Sequence, residues 1–454
     1  MRKISDEQIT FAEMEMSRDP GNLSILLSMI NSILEQNPQI LESASRDFAL
    51  RDKNDERRGR PGMTVDQSLR VALVKQLFSL DYRSLESFIK DSWPMRAFCQ
   101  MACGVPGFRS LQRNVKAVSE NTWLSIHEVI VEYALKEKIE SGRWIRADTT
   151  VVESNIHHPT DALLLEDCAR VLIRNQHRAS DHFEAIGRIR NRNRVVGGLA
   201  FAIQNCRKND QREGHYRNLI SHVEIIAEEC RKTLEALKAE SLGINHGINQ
   251  AFINPLAHFL SLTDKVISQA RRRILHGETV PAKEKVVSIF EPHTDIIAKG
   301  GRETKFGHKV ILFSGKSSLI LSCEILNGNP TDKTLFVPTL DKVKNITGKF
   351  PTHFSVDDGF ATYDNGTEAL LRGGKQLAFG GKLKHEKLSW VSSRRVQREL
   401  RRFRAGIEGL ISGLKRGVGL SRCTWKNMEG FSRYVYSSVV AWNLKQIALA
   451  TLGT

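Results

Sequence analysis

Apolar residues recur at helical spacing through the first third of the chain. Leu23, Leu26, Leu27, Ile30, Ile33 and Leu34 line one face and predict an amphipathic helix within a helical segment 1–50. A basic, polar stretch at 51–62 reads as a linker. Thr64 and Gln67 have the spacing of a capping box, which opens a helix with Val65, Leu69, Leu73 and Leu77 inward. Asp81 is placed to cap the next helix, with Leu85, Phe88 and Ile89 on its buried side. Trp93-Pro94 breaks the pattern, short helices follow at 95–102 and 110–118, and a longer one spans 122–139. Arg109, Arg113 and Lys116 lie on the second of a short helix pair. That arrangement resembles a helix-turn-helix, with a packing or dimerisation module as the competing reading.

The pattern changes at Arg143. Trp144 to Asp148 reads as a strand ending on an aspartate. A long helical stretch follows at 161–277, in which Leu219, Val223, Ile226, Cys230, Leu234 and Leu237 keep coiled-coil-like spacing. Strand-like runs return at 286–290, 308–313 and 319–326, separated by Gly300-Gly301 and Gly315. Asp332 reads as the cap of a helix running through Leu340 and Val343. A short strand ends at Asp357, and 377–379 is the last strand. A helix at 394–416 and a final one at 425–449 complete the chain.

The 394–416 helix carries the clearest chemistry. Val396, Leu400, Phe403, Ile407, Ile411 and Leu414 form its apolar stripe, and Arg401, Arg404, Glu408, Ser412 and Lys415 a polar stripe beside it. Glu408 is the only acid between Leu400 and Met428. It is expected at the edge of the buried face among cations, where an ordinary surface ion-pair cluster is the plain alternative.

Composition narrows the partner. The 67 Lys and Arg against 51 Asp and Glu leave a formal charge of +16, which favours a polyanion, nucleic acid first. Arg188, Arg190, Arg192 and Arg194 alternate within the helical stretch and suggest an arm on DNA phosphates, against a solvated basic rim. No secretory signal is expected, and no run is long enough to span a membrane as a helix. The seven cysteines are odd in number and lack a Cys-x-x-Cys pair, so a cytoplasmic chain with reduced thiols is expected, Cys99 and Cys103 being core rather than metal ligands.

Strands alternating with helices argue an α/β layer, and aspartates at the carboxyl ends of neighbouring strands can converge at one sheet edge. A helix across that edge could add Glu408. Three carboxylates suit a hard cation such as Mg²⁺ or Mn²⁺. Arg404-x3-Glu408-x6-Lys415 is similar to the Tyr-x2-Arg-x3-Glu-x6-Lys signature of bacterial insertion-sequence DDE transposases. Asp357-Asp358-Gly359-Phe360 resembles their second aspartate motif. Ala147-Asp148-Thr149-Thr150 with Pro159-Thr160-Asp161 resembles the first, Lys305-Phe306-Gly307-His308-Lys309 the strand that follows, and 63–101 their N-terminal helical domain. The likeness is to ISNCY-type elements and covers about 64–444. Arg401 stands where the signature has tyrosine, and the helical insert is placed unlike that of many relatives.

The resemblance implies an α/β chain with an RNase H-like catalytic domain at 141–160 and 280–424. It implies an all-α N-terminal DNA-binding or dimerisation domain at 1–140, a helical insertion at 161–279, and a C-terminal helix at 425–454 packed on the catalytic domain. Asp148, Asp357 and Glu408 would hold two Mg²⁺ or Mn²⁺ ions, Gly359 and Phe360 selecting Asp357 over Asp358. Arg404 and Lys415 would contact phosphate or steady the carboxylate. The implied substrates are double-stranded transposon ends and target DNA, cleaved and then joined by a nucleoid-associated homodimer. A nuclease that does not join DNA and a non-catalytic DNA-binding derivative are the competing readings; an RNA-binding protein is disfavoured by the lack of an aromatic-rich signature.

Overall fold

The computed structural model describes residues 21–52, 62–240, 246–298, 303–380 and 389–453. The expectations for 1–20, for 53–61 and for Gly300-Gly301 lie outside the described residues. The chain divides into two compact units, Met1–Ser154 with Gly307–Thr454, and Asn155–Phe306.

The first unit joins helices to a sheet through one hydrophobic core. Helices α1 (Asn22–Gln36), α2 (Gln39–Asp52), α3 (Val65–Leu77), α4 (Tyr82–Asp91), α5 (Trp93–Phe98), α6 (Phe108–Val115) and α7 (Glu120–Lys136) come first. The Thr64–Gln67 capping box forms in full, and Asp81 caps α4 by accepting from the Arg83 and Ser84 amides. α3 is buried on nearly every side, so its periodicity showed only part of what it packs against. The C-terminal helix α15 (Asn427–Thr451) packs on α1, α3 and α7. Asn443 of α15 bonds both the amide and the carbonyl of Ile320, and His127 of α7 meets the same carbonyl. These contacts pin the helices to a strand.

That strand is β4 (Ile320–Ile325). With β1 (Trp144–Glu153), β3 (Lys305–Ser314), β5 (His353–Val356) and β6 (Gln376–Phe379) it makes the order β4-β3-β1-β5-β6. β3 runs antiparallel to both β1 and β4, whereas β1, β5 and β6 are mutually parallel. α12 (Phe336–Thr347) and α13 (Tyr363–Leu371) connect the later strands.

β1 does not end at Asp148. It continues to Glu153 because β3 pairs with it as far as Gly307, while β5 accompanies it only to Ala147. Asp148 is thus mid-strand toward β3 and just past the end of the pairing with β5.

The second unit has its own core, built by α8 (Asp161–Ser180), α9 (Asn193–Asn205), α10 (Asn209–Glu240) and α11 (His246–Ala270). The expected seam of α10 is buried from Leu219 to Leu237. The run 286–290 is not a strand. The Val286 amide is taken by the Gln269 side chain, and those of Phe290 and Glu291 by Ser288 Oγ, so side chains replace the ladder its apolar pattern suggested. A three-residue strand, β2, occurs instead at Asp295–Ile297.

Candidate active site

The strand register brings the two aspartates together. Ala147 pairs with Val356 in the parallel β1–β5 ladder, so Asp148 and Asp357 are the next residues on neighbouring strands. They also face one side. Arg146, two residues before Asp148, donates to the carbonyl of Phe403, and Ser355, two before Asp357, donates to that of Leu400. Side chains alternate along a strand, so Asp148 and Asp357 point to the face covered by the helix that holds Phe403 and Leu400.

That helix is α14 (Arg394–Gly417), with Leu400, Ile407, Leu410 and Leu414 buried. Arg146 fixes it. The guanidinium is buried, bonds Ser314 Oγ, Ser318 Oγ and Phe403 O, and lies 4.9 Å from the Phe403 ring centroid. Burial lowers its pKa from the ordinary arginine value. Gly406 lets α14 lie close against Arg146, since a Cβ there would run into Nη1 unless the guanidinium shifted.

Arg404 of α14 reaches Asp357, Nη1 to Oδ1 at 3.1 Å. Glu408 lies one turn further along, about 6 Å down the axis on the same helical stripe. It is exposed, further from the buried face than its spacing suggested, and has no ion pair with a described residue. Lys415 is two turns beyond.

Asp332 departs from its expected role. Thr331 precedes a short 3₁₀ turn at Asp332–Thr334, and α12 starts after Leu335 with no side-chain cap. The Asp332 carboxylate accepts instead from Lys309 Nζ at 2.7 Å and from Thr149 Oγ1 at 3.3 Å. A Cβ on Gly359 would come within 2.8 Å of Asp332 Oδ2, so this pair also backs the Asp357–Gly359 turn. Lys309, Arg146 and this role of Asp332 were missed from the sequence. The available signal was a lone cation inside an apolar strand, at Lys309 before Val310 and at Arg146 between Ile145 and Ala147.

Asp148 and Asp357 fit a divalent cation by donor chemistry and by placement: carboxylate oxygens on adjacent strands and one face. The full triad does not close into one group; among the described residues no three His, Cys, Asp or Glu side chains stand close enough to hold a metal ion.

Residues 277–444 match the family of the transposase DDE domain. The match supports a DDE transposase of insertion-sequence type. The matched span contains Asp357 and Glu408; Asp148 lies before it, on the strand that pairs with β5. The match suggests an enzyme that acts on DNA, and the family implies use of a divalent metal. No curated protein and no solved structure matches the chain.

The other residues expected to contact DNA lie away from Asp357 and Glu408 in the sequence. Arg109 and Arg113 are exposed on α6, beside Phe108, which the Arg83 and Arg109 guanidinia flank. In the second unit Arg188, Arg190 and Arg194 are exposed, whereas Arg192 pairs with Glu229 at 3.0 Å. All seven cysteines are free thiols, Cys99 buried and Cys103 exposed. No described helix is long and apolar enough to cross a membrane.

Proposed function

We propose that the chain is a DNA transposase that cleaves phosphodiesters at transposon ends and joins the freed 3′-OH to target DNA. The observation that carries this is the side-by-side placement of Asp148 and Asp357 beneath the helix that bears Glu408. The strand order, with β3 reversed among parallel neighbours, supports an RNase H-like catalytic layer. Asp148 and Asp357 would hold Mg²⁺ or Mn²⁺, two ions in the complete site, with Glu408 as the third carboxylate. When bound, such ions ionise water and stabilise charge on attacking and leaving oxygens.

The chain's own groups set the geometry. The Thr149 amide donates to Asp148 Oδ1 at 2.7 Å, and Arg404 holds the Asp357 carboxylate. Closing the triad requires the Glu408 carboxylate to approach the sheet edge. Arg404 and Lys415 would meet phosphate oxygens on the same side. The α4–α6 helices, with Arg109 and Arg113, supply sequence preference, and Arg188, Arg190 and Arg194 add phosphate contacts. The working form is taken to be a homodimer.

Asp148→Ala, Asp357→Ala and Glu408→Ala should each lower cleavage and joining at least about a thousandfold while end-DNA affinity stays within a few-fold. Activity persisting in EDTA, or an active Asp357→Ala beside an inactive Asp358→Ala, would refute the assignment. Joining of pre-cut ends separates a transposase from a simple nuclease.

A further inference from the structure

Between Glu184 and Asp210 the second unit carries no acid and six cations, Arg188, Arg190, Arg192, Arg194, Arg207 and Lys208. Among the described residues, only Arg192 of these is in an ion pair, with Glu229. Arg188, Arg190, Arg194, Arg207 and Lys208 are exposed. Arg188 and Arg190 line an open groove with His177, Ser180, Ile189 and Asn191.

In the middle of this acid-free stretch α9 presents an unusual outer face. Its buried side is Val196, Ala200 and Ile203. Its outer stripe is Arg194, Gly198, Phe201 and Asn205, with Val195 beside it. Phe201 is 68% exposed and Val195 49%. Gly198, one turn before Phe201, has open space where a side chain would stand. The phenyl ring therefore projects from the helix with a cation two turns behind it and no carboxylate on its stripe.

A large apolar side chain left in water forgoes the favourable transfer of its surface out of water, so this position asks for a covering partner. The surrounding charge decides which. A second copy of this face would bring like charges together, whereas a polyanion complements them. We infer that the outer face of α9 is a DNA-distorting surface: Arg188, Arg190 and Arg194 hold backbone phosphates, and Phe201 inserts as an apolar wedge at a base step. It rests on the DNA-acting reading above and adds a task for the insertion: it bends the duplex rather than merely holding it. Arg192 is excluded from the surface because it ties the segment to α10.

The test uses the full-length protein and a duplex a few helical turns long, with donor and acceptor dyes at its ends, at saturating protein and low salt. The wild-type protein should bend the duplex by an angle in the range of about 20–90°. Phe201→Ala should still bind but leave the duplex straight, and Phe201→Trp should restore the bend. Arg188→Ala/Arg190→Ala/Arg194→Ala should lower the slope of log affinity against log salt by about 3. Equal bending by wild type and Phe201→Ala, or no bending by wild type, overturns the wedge while DNA binding stands. Wild-type protein that binds no DNA refutes the DNA-acting reading itself. A Phe201→Ala change seen only in sedimentation, with bending unaltered, would assign the face to contact between copies and overturn the proposal.

Discussion

Cations are used in opposite ways at the carboxylate edge of the first unit and on the 188–194 segment and α9 of the second. At the carboxylate edge of the first unit they are buried or tied down. Arg146 is enclosed by two serine hydroxyls, a carbonyl and a phenyl ring; Lys309 is held by Asp332 and the Pro330 carbonyl; Arg404 is held by Asp357. On α9 and the segment before it, Arg188, Arg190 and Arg194 stand in solvent. Burial makes a cation part of the scaffold, because its hydrogen bonds must be met inside. Exposure leaves its attraction available to a partner. Net charge alone cannot tell these uses apart.

Removing the buried cations whose hydrogen bonds are met inside, Arg146 and Lys309, should damage the fold, and removing the exposed ones should not. Arg146→Ala is expected to show the largest effect, a loss of about 4 kcal/mol in denaturant unfolding, since it empties a packed site and leaves buried acceptors unpaired. A loss below about 1 kcal/mol would mean that Arg146 does not anchor α14.

Lys75 sharpens the contrast in the other direction. Its ammonium is buried on α3 within 5.2 Å of the Tyr82 ring centroid, 5.6 Å of Trp425 and 5.9 Å of Tyr434. Burial is the main cause that lowers its pKa from 10.5 to about 8, with Cys423 and Asp81 raising it and Lys116 lowering it. The unfolded chain therefore binds more protons than the folded one between pH 8 and 10.5. Stability from this group is full above that window and is lost as pH falls through it. Lys75→Met should gain up to roughly 3 kcal/mol at neutral pH, a gain that shrinks as pH approaches 10. Melting curves of both proteins across that range check the sign; a gain that grows with pH would reverse the argument.

Lys309→Met should cost about 2 kcal/mol, because Asp332 keeps a partly exposed carboxylate and Thr149 but loses its charged donor. Lys309→Met/Asp332→Leu should recover part of that loss, as expected when both partners of a pair go. The smallest effects belong to the second unit. Arg192→Ala should cost about 1 kcal/mol or less, and Arg190→Ala within about 0.5 kcal/mol, both read from thermal unfolding. An Arg190→Ala as costly as Arg146→Ala would erase the distinction between the two regions.

Local signals were legible where the deciding partner lies within a few residues. The Thr64–Gln67 box, the Asp81 cap, the seam of α10 and the bounds of α14 all formed as read. The expected proximity of Asp148 and Asp357 also appears, because alternating elements constrain which strands are neighbours. Errors arose where the partner is distant. Asp332 has the setting of a cap, but Lys309 and Thr149 offer its carboxylate a charged and a neutral donor from other strands. The 286–290 run has a strand's composition, but Gln269 and Ser288 take its amides.

By itself the sequence determined the helical periodicities, the Thr64 and Asp81 caps, the acid-free basic stretch and the three candidate carboxylates. These depend on neighbouring residues or on residue type alone. The tertiary structure decided that β1 runs past Asp148, that Asp148 and Asp357 share the face beneath α14, that Arg404 closes on Asp357, and that Arg192 turns inward while Arg188, Arg190 and Arg194 do not. Those choices follow from which donors and acceptors are left inside once the strands pair and the helices pack. A buried polar group must find its partner wherever the chain has brought one.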